Sequence, residues 1–141
     1  MSESINSQSA LGAPVLIVMP QAEDAFSENG VIKGGWLMSQ IDIAGAIAAS
    51  NHTQGRIATI AVPDLCFTKS VFVCDVLKIY ATVAKIGKSS ITMQLHVFVD
   101  RALGLGEKHV PVAQATFVYV AIEKPGVKRL IESRSACRGG A

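Results

Sequence analysis

The chain has 141 residues, half of them hydrophobic and 17% charged, with a formal net charge of +2 at pH 7. That length suits one domain with a sizeable core, the charge is too mild and too scattered to point to nucleic acid, and no run of ~18 apolar residues is available to cross a bilayer. The three cysteines, Cys66, Cys74 and Cys137, show no C-x-x-C spacing, which argues against a disulfide framework or a zinc site and for a reducing cytoplasm.

In chain order, residues 1–13 are polar and Ser-rich without periodicity and are expected to form a flexible lead-in. No Lys or Arg precedes Lys33, so the apolar stretch 11–20 lacks the basic flank of a signal peptide. Residues 15–19 predict a short strand closed by Pro20, and 21–33 a polar loop with an Asn29-Gly30 turn. From Gly34 the spacing changes to that of a helix running to about Asn51, with Leu37, Ile41, Ala44 and Ala48 on one stripe and Met38, Gly45 and Ala49 widening it. So apolar a helix is expected to be wrapped by other structure on nearly all sides.

Asp42 is the one carboxylate in this helix, and an ionised carboxylate among Ile, Ala and Gly is costly unless paired or used. Gly34 and Gly35 leave the amides of the first turn free to approach a ligand, and the helix dipole favours negative charge there. Asp42 is two turns along, within roughly ten ångströms of those amides, which leaves room for a reacting carbonyl between them.

After Gln54-Gly55 the period becomes two. Residues 57–67 predict a strand with a bulge or edge character at Pro63. Residues 75–86 and 91–99 alternate on either side of Gly87-Lys88 as a long hairpin, with Leu77, Ile79, Ala81 and Val83 sharing a face. A loose connection over 100–111 leads to a last strand at 112–122, and Lys124-Pro125-Gly126 ends it. The expected architecture is α+β: an antiparallel sheet wrapped around one long helix, with the open sheet edge and surplus apolar surface met by a second copy.

These residues carry a resemblance. The strand, the loop with Gly30 and the run Gly34-Gly35-Trp36-Leu37-Met38-Ser39-Gln40-Ile41-Asp42-Ile43-Ala44-Gly45-Ala46 are similar to the hotdog-fold acyl-CoA thioesterases, specifically the short bacterial acyl-CoA hydrolases. Gly55-Arg56, Phe67-Thr68-Lys69 with Val73 and Asp75, and Gly87-Lys88-Ser89-Ser90 agree in spacing, so the likeness spans about residues 15–122. The resemblance implies a single hotdog domain over 14–131 with a flexible tail over 132–141. It implies hydrolysis of acyl-CoA to free acid and CoA, dimers with active sites at their interface, and dimers commonly stacked as trimers into hexamers.

In the same terms, Asp42 matches the catalytic carboxylate, acting as general base or as nucleophile, and Gly34 and Gly35 supply oxyanion amides. Arg56, Lys85, Gly87, Lys88, Ser89 and Ser90 lie near the CoA phosphates. Ser27 stands where the family usually has an Asn that works across the interface, with Asn29 as the alternative position. Ser70 and Cys74 replace an expected Pro and Gly. No cofactor is expected beyond the CoA of the substrate itself, no metal, no nucleic acid and no membrane. Trp36 and Phe26 are read as packing residues in preference to an acyl channel. The competing readings are a non-catalytic acyl-CoA sensor, which Ser27 would allow, and a hotdog dehydratase, which would want a His near the helix start where residues 1–51 have none.

Overall fold

The structure, a computed structural model, describes residues 11–131; the lead-in over 1–10 and the tail over 132–141, with Cys137, lie outside the described residues. The elements run β1 (Leu16–Val18), α1 (Gly34–Thr53), β2 (Ile57–Phe67), β3 (Val76–Ile86), β4 (Ser90–Asp100), β5 (Val110–Lys124) and β6 (Val127–Lys128). The sheet is antiparallel in the order β1-β3-β4-β5-β2, with β6 folded back on the end of β5. It curls around α1, the hotdog architecture expected from the sequence.

The expected hairpin is present: Leu77 pairs with Val99, Ile79 with Val97, Ala81 with Leu95 and Val83 with Met93. A side-chain period of two then puts one set inward, and Leu77, Ile79, Ile91, Met93 and Leu95 are fully buried against the helix. On α1, Leu37, Ile41, Ala44 and Ala48 are buried as the stripe predicts. Met38 is not: it is 41% exposed, as are Ile43 (45%) and Ile47 (42%). The sheet of a single chain covers one side of the helix only, so the expected all-round wrapping is half achieved within one copy.

β2 does not pair with its sequence neighbour β3. It crosses to the far side of β5 and forms the free edge, with register shifts between Thr59 and Asp64 around Pro63, where a missing N–H is tolerated. β6 and two short 3-10 turns, at Ala22–Asp24 and Ala102–Gly104, are additions to the expected set.

The outward face of β3 and β4 holds a buried aromatic group. Tyr80 is 1% exposed and meets Phe98 edge-on at 5.5 Å, and Phe98 stacks on His109 at 3.9 Å. The chain from β2 into β3 is pinned by Asp75, 3% exposed, which accepts from the Phe72 N–H at 2.8 Å and from Arg101. Arg101 also donates to Ser70 O and covers the Phe72 ring.

Beside that carboxylate, Cys74 has φ 75°. Only glycine holds the left-handed region without a Cβ penalty, of roughly 1 kcal/mol or more. Cys74→Gly is therefore expected to stabilise the fold by about 1 kcal/mol, seen as a rise in the denaturant midpoint at unchanged slope; an unchanged or lower midpoint would mean that the thiol's own packing outweighs the strain.

Candidate active site

Asp42 lies at the margin of the buried face of α1, half-buried, and its side chain turns toward β2. Oδ1 accepts from Thr59 Oγ1 at 2.8 Å and from the Tyr119 hydroxyl at 3.1 Å. The same hydroxyl lies 3.1 Å from the main-chain O of Asp42. Among the described residues no Lys, Arg or His forms an ion pair with Asp42, so its charge is met by neutral donors alone. Tyr119 is fully buried. Burial, reinforced by the adjacent Asp42 charge and the hydrogen bond to it, pushes the phenol's ionisation well above the usual tyrosine range, so the group is a donor throughout the working pH range.

Gly34 and Gly35 open α1. The first helical bond runs from the Leu37 N–H to Lys33 O at 3.2 Å, which leaves the amides ahead of it without helical acceptors. Gly34 also lines a cavity of about 290 Å³ with Leu37, Val31, Phe67, Lys69 and Val71. A regular helix puts Gly34 and Asp42 eight residues, or about 12 Å, apart along the axis.

Ser27 is exposed in the preceding turn and is not among the hydrogen-bond partners of Asp42 within the chain. Asn29 spends its side-chain oxygen on the Val31 N–H, 3.0 Å away, as a turn residue. Phe26 is 48% exposed with the Lys33 ammonium above its ring, and Trp36 packs against the core.

The residues matched to phosphate binding gather at the opposite end of α1. The Arg56 and Ser89 carbonyls accept from the Ile122 and Ala121 N–H groups, so Arg56 and the hairpin tip flank the same two residues of β5, about two strand spacings or 10 Å apart. Gly87 donates to Ser90 O at 2.8 Å, and a Cβ on Gly87 would come within 2.8 Å of Ser90 Oγ, which explains the glycine at this turn. The side chains of Arg56, Lys85 and Lys88 are exposed and enter no ion pair among the described residues.

Arg129, which carries no pattern signal in the sequence, locks this end. Its guanidinium donates to Thr53 O, Thr53 Oγ1, Arg56 O and Ile122 O at 2.9–3.3 Å. It satisfies carbonyls at the helix C-terminus and opposes the dipole there.

His96 faces outward, away from α1, beside Tyr80 and Gln114. Burial holds it below the ordinary histidine range, as it does His109, to which Lys78 adds and from which Asp100 subtracts. Neither is placed to work with Asp42. No group of three or more His, Cys, Asp or Glu side chains suited to a metal ion occurs among the described residues, and no helix there is long and apolar enough to cross a membrane.

Thr59 and Tyr119 are the site residues that sequence reading passes over. Thr59 sits in a strand full of small and branched residues, and Tyr119 in one read only as the last strand. The signal that was available for Tyr119 was Gly45, a helix-interior glycine in want of a reason.

Comparison with known proteins gives a consistent set. The family model of the thioesterase superfamily matches residues 29–103. An uncharacterised acyl-CoA thioester hydrolase of Buchnera aphidicola subsp. Acyrthosiphon pisum is 41% identical over 120 residues, 84% of this chain and 87% of the relative. The acyl-CoA thioester hydrolase YciA of Salmonella typhimurium is 38% identical over 115 residues, 80% of this chain and 84% of its own. Among solved structures, a hexameric thioesterase from Yersinia pestis superposes with a TM-score of 0.80 at 41% identity, over 86% of this chain and 97% of that one.

Proposed function

The chain belongs to the thioesterase superfamily, and from that premise we infer that it hydrolyses acyl-CoA thioesters to the free acid and CoA, with Asp42 as the reacting carboxylate. The observation that supports this role is the half-buried carboxylate on an apolar helix, met by two neutral hydroxyl donors and no cation. Such an arrangement orients the carboxylate without a close cation to occupy the oxygen that would meet water or the thioester.

As base, Asp42 takes a proton from water whose oxygen adds to the thioester carbonyl. As nucleophile, it adds to that carbonyl itself and water then cleaves the anhydride. In both routes the C–S bond breaks and the thiolate leaves without strong acid assistance, since a thiol ionises at a pKa of about 8.5. The oxyanion takes hydrogen bonds from the amides that Gly34 and Gly35 leave free.

A reacting centre sits ~3 Å from its nucleophile, with its oxyanion ~3 Å from the donors. That span is short beside the ~12 Å of helix between Gly34 and Asp42, so the pair is best supplied by two copies, Asp42 from one and the amides from the other. The free edge at β2, with Ile60 56% and Val62 40% exposed, and the uncovered Ile43 and Ile47 of α1 support a dimer with joined sheets. A trimer of such dimers would build a hexamer, the assembly the Yersinia pestis relative forms. Across such an interface Ser27 offers a hydroxyl for water or thioester placement. Arg56, Lys85 and Lys88, with the Ser89-Ser90 turn, bind the CoA phosphates as exposed cations. CoA enters as part of the substrate and no further cofactor is invoked; a reducing cytoplasm suits the sparse cysteines.

Three outcomes test this reading. Purified protein should release free thiol from acyl-CoA, read with a thiol-reactive dye, and Asp42→Ala should lower release a hundredfold or more while CoA binding persists. Full activity in that variant rejects the assignment, and wild-type binding without release makes the protein a sensor. Ile60→Lys should yield folded monomers by light scattering with little thiol release; an intact assembly would move the joint away from β2. Ser27→Asn should raise turnover, and a clear loss would put the loop residue elsewhere.

A further inference from the structure

We propose that Tyr119 is a positioning residue for Asp42, and that Gly45 is a glycine so that the Tyr119 hydroxyl can reach it. The proposal rests on the reading of Asp42 as the reacting carboxylate.

Two independent features of the fold carry it. The first is the hydroxyl itself, within 3.1 Å of both the main-chain O and Oδ1 of the same residue. A phenol hydroxyl has one proton to share, and with the backbone carbonyl and the carboxylate both in reach it ties the side chain of Asp42 to the helix axis. Thr59, directly opposite Tyr119 in the β2–β5 ladder, also donates to Oδ1 at 2.8 Å. With Oδ1 held by both hydroxyls, Oδ2 is the atom left for substrate.

The second feature is the space the hydroxyl occupies. A Cβ built on Gly45 would fall 2.1 Å from the Tyr119 hydroxyl, 2.9 Å from Cζ and 3.1 Å from Cε1. Gly45 is three residues after Asp42 and lies on the same side of α1, so the ring tip passes over it to reach the carboxylate. Glycine in a helix interior costs roughly 1 kcal/mol against alanine. In an otherwise Ala- and Ile-rich segment that cost is offset by the access it gives the phenol.

The electrostatic surroundings are simple. Facing Asp42, β5 presents Tyr119 and β2 presents Thr59, while the inward residues of β3 and β4 packed in the core with α1 are apolar. With no cation in an ion pair with Asp42, the two hydroxyls are the groups that hold its side chain in place.

Tyr119→Phe keeps the ring and its core contacts and removes only the hydroxyl. In the assembled enzyme it is expected to lower kcat about tenfold and leave KM within about twofold, a split that a general loss of structure would not give. Gly45→Ala should show the same signature, and adding it to Tyr119→Phe should cost less than the product of the two single losses, because the hydroxyl it displaces is already gone. If Gly45→Ala does not fold, Tyr119→Phe decides alone. Wild-type kcat in Tyr119→Phe, alongside an inactive Asp42→Ala, overturns the positioning role and leaves the reading of Asp42 intact. Full thiol release by Asp42→Ala overturns both.

Discussion

The constraint from which the rest follows is that α1 is apolar on more sides than one sheet can cover. A helix with Leu37, Ile41, Ala44 and Ala48 on one side and Ile43 and Ile47 on another has no solvent face of ordinary polarity. The long hairpin of β3 and β4 and the crossing of β2 to the far side of β5 curl the sheet around it. The curl ends at β2, whose backbone donors and acceptors on the outer side remain open along eleven residues. A long apolar edge beside an uncovered helix face is the kind of surface that soluble chains either blunt or use. On the proposed reading it is used, with Pro63 and the register shifts around it adjusting a strand whose one charge, Asp64, is exposed.

Asp42 sits where the covered and uncovered sides of α1 meet. Deeper in, burial would cost the charge several kcal/mol and neutralise it; further out, water would compete for every hydrogen bond it makes. At the margin, Tyr119 reaches it from the core and Thr59 from the edge strand. The two donors come from strands that pair with each other, Thr59 directly opposite Tyr119 in the β2–β5 ladder, so the register of that ladder sets the position of the carboxylate. The first register shift in β2 follows immediately after Thr59. The irregular part of the edge therefore begins just past the residue whose placement matters.

What could be read from the sequence follows from which signals are periodic. The buried stripe of α1 and the alternation of β3 and β4 repeat over several residues and are as the spacing indicates, and the edge character of β2 was legible from Pro63. Single-residue effects were less visible. Met38 shares the chemistry of the buried stripe but is exposed, because how far cover extends along a helix is a tertiary fact. Tyr80 alternates with the inward set of β3 and so lies on the other face of the sheet, yet Phe98 and His109 enclose it. Arg129 lies beyond the last strand that could be read and acts on the helix C-terminus 76 residues earlier in the chain. For the site, Asp42 and the glycine pair stood out because they break the composition around them, while Thr59 and Tyr119 match theirs and so gave no such contrast.

A carboxylate placed at a free edge also ties chemistry to assembly. The oxyanion amides are at the start of α1, the carboxylate is two turns in, and the exposed cations are beyond its far end, so one extended ligand running along a single helix would meet them in that order over about 30 Å. Reversing the direction of a second helix beside the first changes the order: the amides of one copy come alongside the carboxylate of the other, and the cations of that second copy lie beyond it. An acyl-CoA, with its thioester at one end of a long arm and its phosphates at the other, fits that crossed arrangement better than the linear one. On the proposed reading the apolar side of α1 and the open edge of β2 serve the site as well as the fold, because a crossed pair of helices is what would bring the amides and the carboxylate together.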